Sequence, residues 1–124
     1  MNRTPMKRRG KGARERTKGM DKHTPYLCER AGGVWLGFKV PKGEPHSDGC
    51  QCEICGAYIG DVWGHRAHIN ERKGPADDNI WNLIVAGPCC HDHDAFSDGG
   101  LRCGTEEALR IVKEKNEQMG IRRE

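Results

Sequence analysis

At 124 residues, with 35% hydrophobic residues and a mean hydropathy of −0.85, the chain has room for one domain with a small apolar core. No apolar run approaches the roughly 20 residues of a membrane-spanning helix and no signal peptide is evident, so the sequence reads as a cytoplasmic protein without a membrane partner. Seven cysteines, an odd number in a chain expected to stay reduced, argue against a disulfide scaffold and for bound metal.

The net charge of +3 conceals an asymmetry, because residues 1–22 hold nine Lys or Arg against Glu15 and Asp21 and so carry +7, leaving −4 on the rest. Nearly without apolar side chains, this segment is expected to be a disordered basic arm, with Lys7, Arg8 and Arg9 binding nucleic-acid phosphates. Residues 23–49 are expected to supply a short strand and a loop packing on the core. Val34, Trp35, Leu36, Phe38 and Val40 read as an extended core segment with no part in a site, and the Pro- and Gly-rich stretch after them as a turn in which His46 is solvated.

The richest stretch follows, in residues 50–100. Cys52-Glu53-Ile54-Cys55-Gly56 has the form of a zinc knuckle, in which glycine after the second cysteine lets backbone amides turn toward the sulfurs. A second group, Cys89-Cys90-His91-Asp92-His93, lies about 35 residues on and suggests a loop closed by one structural zinc ion. Between them, residues 62–69 and 80–85 read as two strands pairing in an antiparallel hairpin, and the run after Pro88 as a short helix ended by Ser97-Asp98-Gly99-Gly100. In residues 101–124, Thr105 is expected to cap a terminal helix reaching about Gln118, with Ala108, Leu109, Ile111 and Val112 as its apolar stripe. Cys28 and Cys103 read as unpaired thiols or as part of a second metal site.

Taken together, Cys52 and Cys55, His68-Ile69, Asn82-Leu83 and Cys90-His91 resemble, in order and spacing, the HNH endonucleases of the ββα-metal (His-Me finger) superfamily, small zinc-containing members of which occur in phages and mobile elements. The resemblance covers about 45 of the 124 residues. It implies a small α+β, zinc-stabilised ββα-metal domain, flanked by the arm and the C-terminal helix, that cleaves DNA phosphodiesters with one catalytic divalent ion (Mg, Mn, Ni or Zn). Such a protein nicks as a monomer or cuts both strands as a homodimer.

In that reading His68 is the general base, Asn82 holds its ring by a hydrogen bond, His91 ligates the catalytic metal, and Arg72 grips a phosphate. Arg66 and Lys73 add positive charge toward DNA. Two positions depart from the family pattern. Ala67 stands where a second metal ligand is common, so His65, His93, Asp92 or Asp94 is expected to substitute. Gly87 stands where a structural cysteine is common, so Cys52, Cys55 and Cys90 are joined by Cys89 or, alternatively, by Cys50 or His93. The alternative function is a non-catalytic zinc module that binds nucleic acid.

Overall fold

The computed structural model describes residues 19–121, so the disorder expected of residues 1–18 and the phosphate contacts expected of Lys7, Arg8 and Arg9 lie outside the described residues. In chain order, helix α1 (Thr24–Arg30) is followed by six short strands, β1 (Val34–Trp35), β2 (Ser47–Asp48), β3 (Cys50–Gln51), β4 (Tyr58–Gly60), β5 (Arg66–His68) and β6 (Leu83–Val85), and then by helix α2 (Thr105–Gln118). The strands pair antiparallel in three two-stranded sheets, β1 with β2, β3 with β4, and β5 with β6. This is a small mixed helix-and-strand protein. Among the described residues no helix is long and apolar enough to cross a membrane.

The β5–β6 hairpin is the centre of the molecule, in the register Arg66–Val85, Ala67–Ile84 and His68–Leu83. All three residues of β6 are buried, because the hairpin is covered on both faces. Leu83 and Val85 pack with Leu27, Cys28 and Ala31 of the α1 region and with Cys50 and Val62. Ile84 points the other way and packs with Cys52, Ile69, Cys90, Leu101 and the Ala108 and Val112 face of α2. Alternation along one strand thus divides the core in two.

A buried ion pair joins the layers. Arg30 at the end of α1 donates to both carboxylate oxygens of Glu53 at 2.7 and 2.8 Å, with both side chains fully buried. Its remaining donors reach the carbonyls of Ile80 and Leu83 and the Asn116 Oδ1 of α2. Glu53 in turn accepts from the Val85 amide at 2.8 Å, and Lys115 Nζ lies 3.6 Å from it. Fully buried Asn116 also accepts from the Tyr26 hydroxyl and donates to the Ile80 carbonyl.

Several expectations are corrected. Residues 23–49 contain α1, which begins at Thr24-Pro25 with proline in its first turn, where no amide partner is needed. Residues 19–22, assigned to the arm, belong to the folded part, since Met20 packs on the α1 cluster and Asp21 pairs with Arg66. The Val34–Val40 run is not core, for only Val34 and Trp35 are strand and Val34, Leu36 and Phe38 are exposed. His46 is half-buried and stacks on Trp63. Of residues 62–69 only Arg66–His68 form strand, while Tyr58–Gly60 pair with β3.

The short helix expected after Pro88 is a series of turns, because the side chain of Asp92 accepts from the Asp94 amide and the Asp92 amide donates to the Gly100 carbonyl, replacing helical bonds. Thr105 opens α2, but the cap is Gly104, and the Asp98 carboxylate accepts the Thr105 amide at 3.0 Å.

Replacing Glu53 with Ala strands a fully buried guanidinium, and the expected loss is about 3–5 kcal/mol, read from the urea midpoint at saturating zinc. Substituting Arg30 by Met in that background should recover a large part of it. A single-variant loss below about 1 kcal/mol, the scale of an exposed pair, would show that the pair does not hold the layers together.

Candidate metal centre and histidine cleft

The knuckle begins at the β3–β4 turn, where the Cys52 amide donates to the Ala57 carbonyl and the Gly56 amide to the Cys52 carbonyl, both at 2.8 Å. Gly56 sits at φ +82, a left-handed conformation that side chains disfavour, and this closes the turn with both sulfurs on one side. The opposite half comes from the segment after β6. The Gly87 carbonyl accepts from the amides of both Cys90 and His91, forming a tight turn that aims Cys89 and Cys90 the same way. A Cβ at position 87 would meet Ile59 at 2.8 Å, so the turn also depends on glycine for close packing.

The outcome is a cluster of Cys52, Cys55, Cys89 and Cys90 whose sulfurs all lie within 4.8 Å of one another, with Cys55 and Cys89 at 3.3 Å. Four thiolates at such spacing are a tetrahedral donor set suited to zinc. The fourth position is therefore Cys89. Cys50 is 3.4 Å from Cys28 in the α1 cluster, with the Cys28 thiol pushed up to about 12 chiefly by burial, and His93 faces the cleft described below. Cys103 donates to the Gly104 carbonyl and is not part of the cluster.

Charge in the cluster is unevenly held. The Ala57 amide, then bonds from Cys89 and Cys90, bring the Cys55 thiol down to about 7, whereas burial pushes Cys90 up and the bond to Cys55 raises Cys89. The Cys55 sulfur is thus the most easily deprotonated of the shifted thiols in the cluster, and a dication would displace the remaining protons.

Beside this centre, His68 from β5 and His91 and His93 from the turn after the cysteines line one cleft of about 500 Å³, with Met20, Arg66, Glu71 and Gly99 also in its wall. The His91 and His93 rings meet edge to face with centroids 5.1 Å apart. His93 packs so closely on Gly100 that a Cβ there would lie 2.6 Å from its ring nitrogen. Burial first, and then the neighbouring His93, lower the pKa of His91, which keeps its imidazole neutral and able to ligate metal. His65 precedes β5 and adds a smaller effect of the same sign on His91, but it is not in the cleft wall. Asp92 and Asp94 are exposed, and the Asp92 carboxylate is engaged in its turn. Among the described residues the four cysteines alone bring three or more Cys, His, Asp or Glu ligands within reach of one ion.

His68 is held by a residue the sequence reading missed. Its Nε2 lies 2.7 Å from Asp78 Oδ1, and Asp78 is almost fully buried. The Asn82 side chain makes its hydrogen bonds to backbone rather than to the His68 ring: its Oδ1 accepts the Asn70 amide and its Nδ2 donates to the carbonyls of Asn70 and Asp77, clasping the loop that carries Asp78. Arg72 Nε also donates to Asp78, at 2.9 Å to each oxygen, and its side chain is only 10% exposed, so it braces the carboxylate rather than standing free for phosphate. Its Nη2 is buried without a hydrogen-bond partner. Arg66 reaches the cleft but is tied to Asp21 and Thr24, and Lys73 stays exposed. An acidic residue in a Pro-Ala-Asp-Asp turn between two strands, ten positions after a strand histidine, was the signal available for Asp78.

One equivalent of Zn²⁺ should protect Cys52, Cys55, Cys89 and Cys90 together from iodoacetamide at neutral pH, and should cover Cys28 and Cys50 as well through the fold that the metal completes, whereas metal-free protein should label at all of them. A structural zinc contributes on the order of 10 kcal/mol to folding in small domains, so Cys55→Ser should lose both metal and the cooperative melting transition; unchanged metal content and melting temperature would exclude the centre. Comparison with protein-family models, with curated proteins and with solved structures finds no match to this chain.

Proposed function

We propose that the protein is a metal-dependent DNA endonuclease of the HNH type, with the β5–β6 hairpin and the turn after it acting as the ββα-metal element. The observation that carries this reading is the convergence of His68 with His91 and His93 on one cleft, although the hairpin and the cysteine turn separate them in sequence. The basic residues 1–22 add the charge a phosphate backbone requires.

His91 and His93 are the residues that would hold the catalytic ion, two imidazole donors on one wall. When bound, such an ion stabilises negative charge on the phosphate and the leaving oxygen. His68 removes a proton from the attacking water. With Nε2–H donating to Asp78, the lone pair is left on Nδ1, which is the accepting atom. Asp78 positions the ring, Arg72 holds Asp78, and Asn82 fixes the loop beneath them.

One observation favours a second reading, a zinc module that binds nucleic acid without cutting it: Ala67 provides no ligand, and only the cysteines gather three or more donors among the described residues. Supercoiled plasmid incubated with zinc-loaded protein, with and without Mg²⁺, Mn²⁺ or Ni²⁺, separates the two. Nicking that requires the added ion supports the nuclease, and none with any ion leaves the binding module.

His68→Ala should lower the cleavage rate about 10²-fold or more while keeping metal and DNA affinity. His91→Ala should weaken the catalytic metal, so that raised Mn²⁺ restores part of its activity. Rescue of the His68 variant by metal and none for His91 would exchange their roles; full activity in both would end the nuclease reading. Asp78→Asn should lower kcat and leave KM unchanged, whereas a folding defect alone would reduce the active fraction without changing kcat per folded molecule.

A further inference from the structure

The turn that precedes α1 lies on the histidine cleft. Met20 stands in the cleft wall with His68, His91 and His93. Gly19 is set so close to the Asp78 carboxylate that a Cβ on it would collide with Oδ2, which puts the turn directly over the group that holds His68. The Met20 carbonyl accepts from the Thr24 hydroxyl at 2.8 Å and from the His23 amide at 3.1 Å, fixing the turn against the start of α1.

One guanidinium fastens this turn to the hairpin. Arg66 Nη1 donates to Asp21 Oδ1 at 2.6 Å and to the Thr24 hydroxyl at 3.1 Å, while its Nε donates to the Trp63 carbonyl. The Asp21 side chain is 29% exposed and that of Arg66 only 8%, so the acid is the half of the pair that can leave toward water.

The charges oppose the entry of a phosphodiester. Arg66 is the one Lys or Arg in the cleft wall, and Glu71 is its acid. With Asp21 on Arg66, the cation is already neutralised, and an arriving phosphate would face two carboxylates. Yet residues 1–22 hold nine Lys or Arg against Glu15 and Asp21, so the acid that occupies Arg66 belongs to the segment with the most positive charge. Carboxylate and phosphate oxygens accept from the same guanidinium donors, so Arg66 Nη1 can serve Asp21 or a phosphate.

We infer that residues 19–21 form a latch over the cleft, closed by Asp21 on Arg66, which a nucleic-acid phosphate opens by taking the place of the Asp21 carboxylate. Opening carries Gly19 and Met20 away from Asp78 and the cleft wall. The inference rests on the binding of nucleic acid, common to both readings above, and not on cleavage.

The test uses the full zinc-loaded chain with its methionine methyls labelled with ¹³C, no other divalent ion, and a short DNA duplex. The Met20 methyl, assigned by its loss in Met20→Leu, should move toward the shift of a solvent-exposed methionine as duplex is added. A ligand shifts such an equilibrium only through its different affinity for the two states, so weakening the closed state while keeping Arg66 should tighten binding. Asp21→Asn should therefore bind duplex about fivefold more tightly, the scale of a partly exposed ion pair. In an Arg66→Met background, which keeps the aliphatic stem, the same change should have no effect.

A Met20 methyl that stays in place at saturating duplex, or an Asp21→Asn protein that binds no more tightly, would overturn the latch. Equal tightening in both backgrounds would also overturn it, by assigning the effect to general charge. A duplex that does not bind at all would remove the latch together with both functional readings. Metal-dependent nicking with an unmoved Met20 would keep the nuclease and remove the latch; a displaced Met20 without nicking would keep the latch and leave the binding module.

Discussion

The buried pair between Arg30 and Glu53 is the contact on which the rest of the structure depends. Glu53 lies inside the Cys-x-x-Cys knuckle, Arg30 ends α1, and their remaining hydrogen bonds reach β6, the turn before it, and α2. Desolvating two charges is costly unless nearly every donor and acceptor is matched. Here both Glu53 oxygens and all three guanidinium nitrogens are engaged, so the pair acts as a register pin for four segments, each too short to be stable alone. The small apolar core makes such a pin more consequential than it would be in a larger domain.

The cysteine cluster adds a second constraint, built on the same knuckle that carries Glu53. Cys52 and Cys90 are core residues as well as candidate ligands, packed with Ile84 and the apolar face of α2. A metal bound there therefore ties the knuckle to the segment after β6, and through it sets His91 and His93, which directly follow the last cysteines. His91 follows Cys90 by one residue and His93 by three, so stability and the geometry of the cleft are linked through the chain itself. The Gly87-Pro88 turn lets adjacent cysteines serve one ion, with the amides of Cys90 and His91 sharing one carbonyl.

The cleft illustrates how a polar network can be organised around one buried carboxylate. Asp78 collects His68 and Arg72, while Asn82 holds the loop from below by backbone bonds alone. The asparagine thus serves by fixing the loop, and the carboxylate contacts the imidazole. Such a division places the orientation of His68 under control of a fourteen-residue excursion between β5 and β6, residues 69–82, clasped by a single amide side chain.

The sequence by itself determined the chemistry that depends on residue type and short spacing. The Cys-x-x-Cys-Gly knuckle and the second cysteine pair were readable because soft ligands on tight turns have few other uses, and α2 because it has strong helix formers over fourteen residues. The β5–β6 hairpin was readable from its apolar strand and the polar turn between. What only the tertiary structure decided are features with no local signature. Helix α1 is seven residues with weak propensity and forms because Arg30 and Leu27 are buried by distant segments. The run after Pro88 has helical composition, yet its aspartates and the cysteine cluster hold it in turns. The fourth ligand, the partner of His68 and the exposure of Phe38 each depend on which segments meet in space, and pairing across 10 to 34 positions leaves no periodicity for a sequence to display.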